Sequence, residues 1–436
     1  MIIVDTALTK REKDGNPIRV GLVGAGYMGK GMARQMIESM VGIDVVAIAN
    51  RTIERAVDVF ESCGVGNQVV EAKTQDELDR ALAAGQRAVV SDPLLLCRAP
   101  GIEVILEATG EIEFGAKTAV AAIEARKHIV LVNAELDATV GPILKVLADE
   151  AGVVISNADG DEPAVAMNLV RFVRSIGYRA VLAGNVKGFY DPHRNPDTQL
   201  GFATEHGQRP KMVTSFADGT KLSMEASVLV NATGFSVAKR GMNGFKCSHV
   251  KEVLDLYDLP KLLESPLVDF VLGAEPGSGA FVVGYDDDSE RREYMRYFKM
   301  GDGPFHVFYR PFHLTHLEAP LTVARAVLFG DAAITPAGAP RAEVIAYSKV
   351  DLESGATLDG VGGFTCYGMI DNVQVARSVN ALPMGLTDGA VMRRSVPADT
   401  MLTVDDVALP EGREVDRLRS LQDRTFAPDK DPSFVR

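Results

Sequence analysis

Ile18-Arg-Val-Gly-Leu-Val-Gly24-Ala-Gly26-Tyr-Met-Gly29 decides how the first third of the chain is read. An apolar run climbs to Gly24, and a helical pattern follows at Met28, Met32 and Met36. A G-x-G-x-x-G turn between a strand and a helix is the dinucleotide fingerprint in its proper setting. Gly24 serves the tight turn, and Gly26 lets the backbone approach a pyrophosphate lying on the positive end of the helix. Gly29 lets helix and strand pack closely. The intervening Ala25, Tyr27 and Met28 belong to the same cofactor-binding turn.

The second strand, Val45-Val-Ala-Ile-Ala-Asn50-Arg51-Thr52, ends where an NAD enzyme carries Asp or Glu for the ribose 2′-hydroxyl. Here Asn50 and Arg51 stand instead. A guanidinium attracts a 2′-phosphate that a carboxylate would repel, so the expected cofactor is NADPH. The plain alternative is a glycine turn followed by a surface arginine.

Strand and helix patterns alternate onward. Gly101–Gly110 reads as a buried strand, Glu113–Lys127 as a helix, His128–Glu135 as a strand, Val140–Ala151 as a helix and Val153–Asn157 as a strand. Such alternation predicts a parallel sheet with helices on both faces, and ligands at the carboxyl ends of its strands. Thr109, Gly110 and Asn133 fall there, as cofactor-binding candidates, and Asp159 falls there too. Ser91–Pro100 reads as an inserted loop.

From about Ala180 the texture changes toward a second sheet, with a helix over Thr220–Thr233 and a strand over Phe305–His313. A helix near 318–330 is expected to return to the first domain. Beyond Ala342, short apolar pairs between glycine turns predict a small β-rich module. The fold expected is α/β: a doubly wound Rossmann-type parallel sheet over 1–160, a central α+β catalytic and oligomerisation domain over 161–317, and the β-rich module over 340–425. The tail after Arg413 is read as mobile.

With 436 residues, two or three domains are expected, and 46% hydrophobic content suits a globular chain. A net charge of −13 argues against non-specific nucleic-acid binding. Cys63, Cys97, Cys247 and Cys366 are too scattered for a disulfide framework or a zinc site. The early Asp5 and short apolar run argue against a signal peptide, and no stretch approaches the ~18 apolar residues of a membrane span. A cytoplasmic protein is expected.

Candidate chemistry lies in the middle of the chain. Lys187, in Asn185-Val-Lys187-Gly, interrupts an apolar strand; a buried lysine there needs a partner or ligand, unless the strand end reaches solvent. Asp218, Lys221 and Glu225 open the Thr220–Thr233 helix, with Lys221 and Glu225 one turn apart on one face. The alternative for Asp218 is a helix cap with a surface ion pair behind it. Asp159-Gly-Asp161-Glu162-Pro163 sets three carboxylates within four residues. Asp161 and Glu162 are thus candidate ligands for Mg²⁺ or Mn²⁺; equally, acids around Pro163 suit the start of a helix. For a phosphate, His193, Arg194, Lys299, Arg310 and His313 are the candidates, with backbone amides of Gly241–Gly244. His313 and His316 lack a further evident metal ligand, which favours substrate contact or packing.

The first ~330 residues resemble the homoserine dehydrogenase superfamily, through the glycine turn, Glu107-Ala-Thr109-Gly110 and Leu131-Val-Asn133-Ala-Glu135. The C-terminal region resembles an SAF domain, through Gly355-Ala-Thr-Leu-Asp-Gly and Leu382-Pro-Met-Gly-Leu-Thr-Asp-Gly-Ala-Val-Met-Arg-Arg. In that order the domains resemble the reductoisomerase-like family of some bacteria. The resemblance implies conversion of 1-deoxy-D-xylulose 5-phosphate to 2-C-methyl-D-erythritol 4-phosphate, in non-mevalonate isoprenoid biosynthesis. It also implies a homodimer or homotetramer, paired through the second sheet, and catalytic roles for Asp218 and Lys221. Homoserine dehydrogenases usually carry Asn-Lys where this chain has Asn133-Ala-Glu135, so the homoserine site is incompletely matched. Two alternatives remain: a dehydrogenase for a polyol phosphate or an amino alcohol, and a non-catalytic NADPH-dependent sensor.

Overall fold

The computed structural model describes residues 4–427. They form two compact units: one from residues up to 161 with 314–335 and 414–425, the other from 162–313 and 336–413.

The first unit is built on seven strands: β1 (Ile18–Val23), β2 (Ile43–Ala49), β3 (Val69–Glu71), β4 (Arg87–Val90), β5 (Val104–Glu107), β6 (His128–Leu131) and β7 (Ile155–Asn157). Their order is β3-β4-β2-β1-β5-β6-β7, and every pairing is parallel. Residues 18, 20, 22, 45, 48, 104 and 106 are buried in one apolar cluster with Met32, Met36, Phe60 and Val323. Strands covered on both faces read as continuous apolar runs, which is why the sequence pattern declared them. The chain leaves β1 toward β2 on one side and later returns to β5 on the other. That reversal opens a crevice at the carboxyl ends of the strands.

Three expectations change here. Ser91–Pro100 is not wholly a loop: Pro93–Arg98 is helical, with Pro93 in its first turn and Asp92 Oδ1 accepting from the Leu94 amide (2.9 Å). The helix expected from Val140 begins at Ala134, capped by Asn133 Oδ1, which accepts from Leu136 N (3.1 Å). Residues 134–144 are all buried, so no polar face marks a helical period there. The tail read as mobile forms the helix Glu414–Thr425, which buries Val415, Leu418 and Gln422. The proline-containing end, 428–436, lies outside the described residues.

The second unit holds a five-stranded sheet: β8 (Arg179–Lys187), β9 (Phe245–Lys246), β10 (Leu267–Leu272), β11 (Ala280–Tyr285) and β12 (Phe305–Arg310), in the order β12-β11-β8-β10-β9. Strand alternation divides its faces. Phe281 and Val283 pack with Val250, Val253 and Leu262. On the opposite face, a Cβ added at Gly284 would lie 2.9 Å from Val173 Cγ1 of the helix Glu162–Ser175. Both faces are therefore covered within the chain. Residues 336–413 add the hairpin of β13 (Ala342–Ser348) and β14 (Cys366–Asn372), and the short pair β15 (Val391–Met392) and β16 (Val407–Ala408). The first hairpin packs on the helix Thr220–Thr233, where Thr220 Oγ1 accepts from Gly368 N (2.9 Å) and Ser223 Oγ donates to Gly368 O (3.1 Å). Among the described residues, no helix is long and apolar enough to cross a membrane.

Candidate active site

In the first unit, the helix Tyr27–Arg34 starts at Gly26, directly after the glycine turn. Gly24 has φ +104°, a conformation that side chains rarely adopt. A Cβ on Gly29 would lie 1.9 Å from Gly24 O, so only glycine permits this approach of helix to turn. At Gly26 an added Cβ would meet nothing within 4 Å, which leaves the helix N-terminus open to a ligand. These residues fit the pyrophosphate of a dinucleotide.

Asn50 follows β2 directly. Its Oδ1 accepts from Ala25 N (3.1 Å), and its Nδ2 donates to Thr52 O (2.6 Å). The side chain expected to read the ribose thus braces the glycine turn. Arg51 is exposed, and its side chain makes no hydrogen bond or ion pair with any described residue. Tyr27 is exposed and meets His316 edge-on (5.0 Å), while Met28 packs against the apolar core.

Beyond β5, Glu107 is fully buried. It accepts from Thr109 N (2.8 Å), from Thr109 Oγ1 and from Asn133 Nδ2 (2.9 Å). Burial pushes its pKa up, against the pull of these donors. Asn133, expected to touch cofactor, ties the segment after β6 to Glu107 at the end of β5, and Thr109, expected there too, folds back on the same Glu107. Gly110 follows with φ +69°.

In the second unit, Asn185 and Lys187 stand two residues apart on β8 and share one face. Asn185 Nδ2 and Lys187 Nζ both donate to Glu162 Oε2. Glu225 Oε2 lies 3.4 Å from Lys187 Nζ, and Glu162 Oε1 lies 3.5 Å from His313 Nε2. The Glu162 and Glu225 side chains are almost fully buried, and that of Lys187 is 21% exposed. Burial alone would lower the Lys187 pKa, but Glu162 and then Glu225 more than reverse it, so the ammonium persists well above the usual lysine range. Burial likewise opposes ionisation of Glu162, yet Lys187 and His313 hold it below the usual carboxylate range. The cluster is a permanently charged ammonium flanked by two carboxyls, with an imidazole beside one of them. It offers a cation for a developing oxyanion and a polar route for a proton.

The cluster draws on three separate groups of candidates: Lys187 and Glu225 were expected to be catalytic, Glu162 to bind metal and His313 to bind phosphate. Glu162, expected to be a metal ligand, accepts from Lys187 and Asn185, and no group of three or more His, Cys, Asp or Glu suited to a cation comes together among the described residues. Asp161 is buried in the first unit. There Asp159 N donates to Thr322 Oγ1 (2.7 Å), and Asp159 Oδ1 accepts from Gly160 N (3.0 Å).

Asp218, expected to be catalytic, is fully buried, pairs with Lys349 Nζ (2.9 Å) and accepts from Thr220 N (2.8 Å). Lys349 donates as well to Arg194 O (2.7 Å) and Gly363 O (2.8 Å), which uses all three of its N–H bonds. This is a structural tie. Lys221 is buried one turn before Glu225. Arg194 Nε donates to Asp191 (3.0 Å) with its guanidinium over the Phe189 ring, and Arg310 lies over Phe312 (4.4 Å). His193 Nε2 faces Asp399 (3.5 Å). Lys299 is exposed beyond the helix Ser289–Tyr297, and its side chain makes no ion pair with any described residue.

Three residues escaped the sequence reading. Asn185 was signalled by its two-residue spacing from Lys187. Glu107 was signalled by a carboxylate ending a buried apolar strand. Lys349 had no signal, because its partner lies 131 residues away.

Residues 160–319 match the family described as oxidoreductase DRL, catalytic domain, and residues 7–91 match the shikimate / quinate 5-dehydrogenase family. No curated protein matches the chain. Among solved structures, a probable dehydrogenase from Thermotoga maritima is 14% identical, with 74% of this chain and 91% of that one covered and a TM-score of 0.41. Scyllo-inositol dehydrogenase from Lactobacillus casei, with bound NAD(H) and scyllo-inositol, is 15% identical (62% and 74% covered, TM-score 0.37). The 1-deoxy-D-xylulose 5-phosphate reductoisomerase from Zymomonas mobilis, in complex with NADPH, is 17% identical (48% and 57% covered, TM-score 0.34). With TM-scores below 0.5, none of the three decides a substrate. The matched catalytic segment, the parallel sheet and the glycine turn together give the class: a nicotinamide-dependent oxidoreductase.

Proposed function

We propose that the chain is an NADPH-dependent reductoisomerase acting on a small phosphorylated ketose, converting 1-deoxy-D-xylulose 5-phosphate to 2-C-methyl-D-erythritol 4-phosphate. The observation that carries this reading is the ammonium of Lys187, held charged by Glu162 and Glu225 beside His313. All four residues fall inside the 160–319 segment that matches an oxidoreductase catalytic domain.

The glycine turn, the open helix end at Gly26 and Arg51 would hold the cofactor, which when bound supplies hydride. Skeletal rearrangement removes a proton from a hydroxyl and moves negative charge between oxygens. Lys187 meets that charge as a cation in a site where water is largely excluded. It acts by charge, since an ammonium this strongly stabilised is a reluctant proton donor. His313 takes and returns the proton, oriented by Glu162. Arg310 and Arg194, each laid over an aromatic ring, are the candidate phosphate grips.

A second reading is a dehydrogenase for a polyol phosphate or an amino alcohol. It is favoured by the same cluster, because one cation and one proton carrier suffice for hydride exchange without rearrangement. The test follows NADPH absorbance with 1-deoxy-D-xylulose 5-phosphate, with and without Mg²⁺ or Mn²⁺, against homoserine and its semialdehyde. Cofactor oxidation with formation of the branched polyol phosphate supports the reductoisomerase. Turnover confined to simple alcohols and their carbonyl partners supports the second reading. Cofactor binding without turnover of any of them removes both.

A further inference from the structure

We infer that Gln422, on the C-terminal helix, is a positioning residue for the nucleotide-binding unit. It mends a proline break in the helix whose first turn braces the ends of β5 and β6. This inference rests on the reading of that unit as the NADPH site.

The helix Ala134–Ala151 is buried through its first half and carries Pro142 in its interior. Proline has no N–H, so the carbonyl of Ala138 loses its ladder partner, and the pyrrolidine ring pushes the preceding turn apart. Residues Thr139 and Ile143 straddle the break. In an uninterrupted helix, Ile143 N would bond Thr139 O. Gln422 reaches both groups: its Oε1 accepts from Ile143 N (3.2 Å), and its Nε2 donates to Thr139 O (3.3 Å). A primary amide carries a donor and an acceptor side by side on one uncharged group, as spanning such a gap requires. Gln422 is only 2% exposed, so its amide has exchanged water for these partners.

The rest of the tail helix holds the amide in place. Val415, Leu418 and Gln422 recur at helical spacing and form its buried face. At its start, Glu113 accepts from Glu414 N and Val415 N, each at 3.0 Å, and so caps the first turn. Burial alone would raise the Glu113 pKa, but these two amides, with Lys117, bring it below the usual carboxylate range. The clasp is therefore pinned at both ends to helices of the same unit.

The mended helix leads to the strand ends. Roughly 13 Å before Pro142 along its axis stands Asn133. Asn133 caps the helix through Leu136 N and donates to Glu107, and Glu107 fixes Thr109. Ligands of parallel sheets bind at those strand ends. A helix free to flex at Pro142 would let Asn133 drift, and with it the turn at Thr109 and Gly110.

The experiment compares the full-length protein with Gln422→Leu and Gln422→Glu. NADPH dissociation constants are read by fluorescence, and amide hydrogen exchange over residues 134–143 is read by mass spectrometry. Loss of the two hydrogen bonds in Gln422→Leu is expected to weaken NADPH about three- to tenfold and to speed exchange at Ile143 by a similar factor. Gln422→Glu keeps a donor for Thr139 O only while protonated, and burial at this 2% exposed position pushes a carboxyl's pKa up, so it should bind nearly as the parent at pH 5.5 and more weakly at pH 8. Unchanged exchange in Gln422→Leu overturns the inference, as does a Gln422→Glu defect that ignores pH. If the parent itself binds no nicotinamide nucleotide, the functional reading fails separately. Exchange at 134–143 then still decides the clasp: faster in Gln422→Leu keeps it, equal removes it.

Discussion

Lys349 Nζ and Asp218 Oδ2 lie 2.9 Å apart with both side chains buried, and that pair ties the β13–β14 segment to the start of the Thr220–Thr233 helix. Removing one partner strands the other charge in a low dielectric, which in general costs about 3–5 kcal/mol. Asp218→Ala and Lys349→Met should each lower the denaturation midpoint sharply. The double replacement should recover part of that loss, because no charge is left buried alone. Midpoints measured by circular dichroism check this. Single variants as stable as the parent would show that the pair carries no stability and would favour a catalytic role for Asp218.

Lys187 differs from Lys349 in being partly open and in facing two carboxyls, where Lys349 faces one carboxyl and two carbonyls. Lys187→Met should reduce turnover roughly 10²–10³-fold, the scale for losing one preorganised charge at a developing oxyanion. NADPH affinity should not change. Because Lys187 stays charged well above the usual lysine range, it should add no alkaline limb to the rate profile between pH 7 and 10. A limb that vanishes in Lys187→Arg would contradict that role. Steady-state rates across pH, with cofactor titrations at each point, separate the two effects.

The parts of the site legible in the sequence are those whose signal is local. The glycine turn is readable because Gly24, Gly26 and Gly29 answer to backbone sterics within six residues. Lys187 is readable because a charge in an apolar strand is anomalous. Glu162 was drawn toward a cation because Asp159 and Asp161 stand beside it, yet the chain passes from one unit to the other between Asp161 and Glu162. Neighbours in sequence thus take distant partners: Thr322 for Asp159, Lys187 for Glu162. Gln422 and Lys349 were illegible for the same reason. A polar residue whose partners lie more than a hundred positions away leaves no period or spacing to read. The helix beginning at Ala134 hid because complete burial erases amphipathic contrast.

Arg51 tests the cofactor preference directly. Its guanidinium is exposed just past β2, with no described partner to compete for a 2′-phosphate. Replacing it by glutamate removes a charge-assisted contact of about 1.5–3 kcal/mol and adds repulsion, so NADPH preference over NADH should fall at least roughly tenfold. Paired titrations of both nucleotides give the ratio. Since Asn50 braces the glycine turn through Ala25 N, Asn50→Ala should instead weaken both nucleotides together. A preference untouched by Arg51→Glu would assign the choice to another residue.

Asp137 sets a pH dependence of stability opposite in sign to that of most carboxylates. It is fully buried on the proline-broken helix; Asn157 Nδ2 donates to its Oδ2, and Oδ1 has no hydrogen-bond partner among the described residues. Burial pushes its pKa from 3.8 up to about 7, against the pull of Asn157. Between those values the unfolded chain has released this proton while the folded protein keeps it. The folded state then binds more protons, so stability falls as pH rises, by about 1.4 kcal/mol per pH unit from this group alone. Below pH 3.8 both states are protonated and the group is neutral in the balance; above about pH 7 the loss is complete and constant. Asp137→Asn cannot ionise, so its stability relative to the parent should climb from pH 4 to pH 7 and then level, whatever fixed offset the amide introduces. Denaturant unfolding of both proteins at pH 4.5, 6 and 8 measures the difference. A difference that stays flat across that range would mean that Asp137 ionises freely, and that the helix it lies on is open to water.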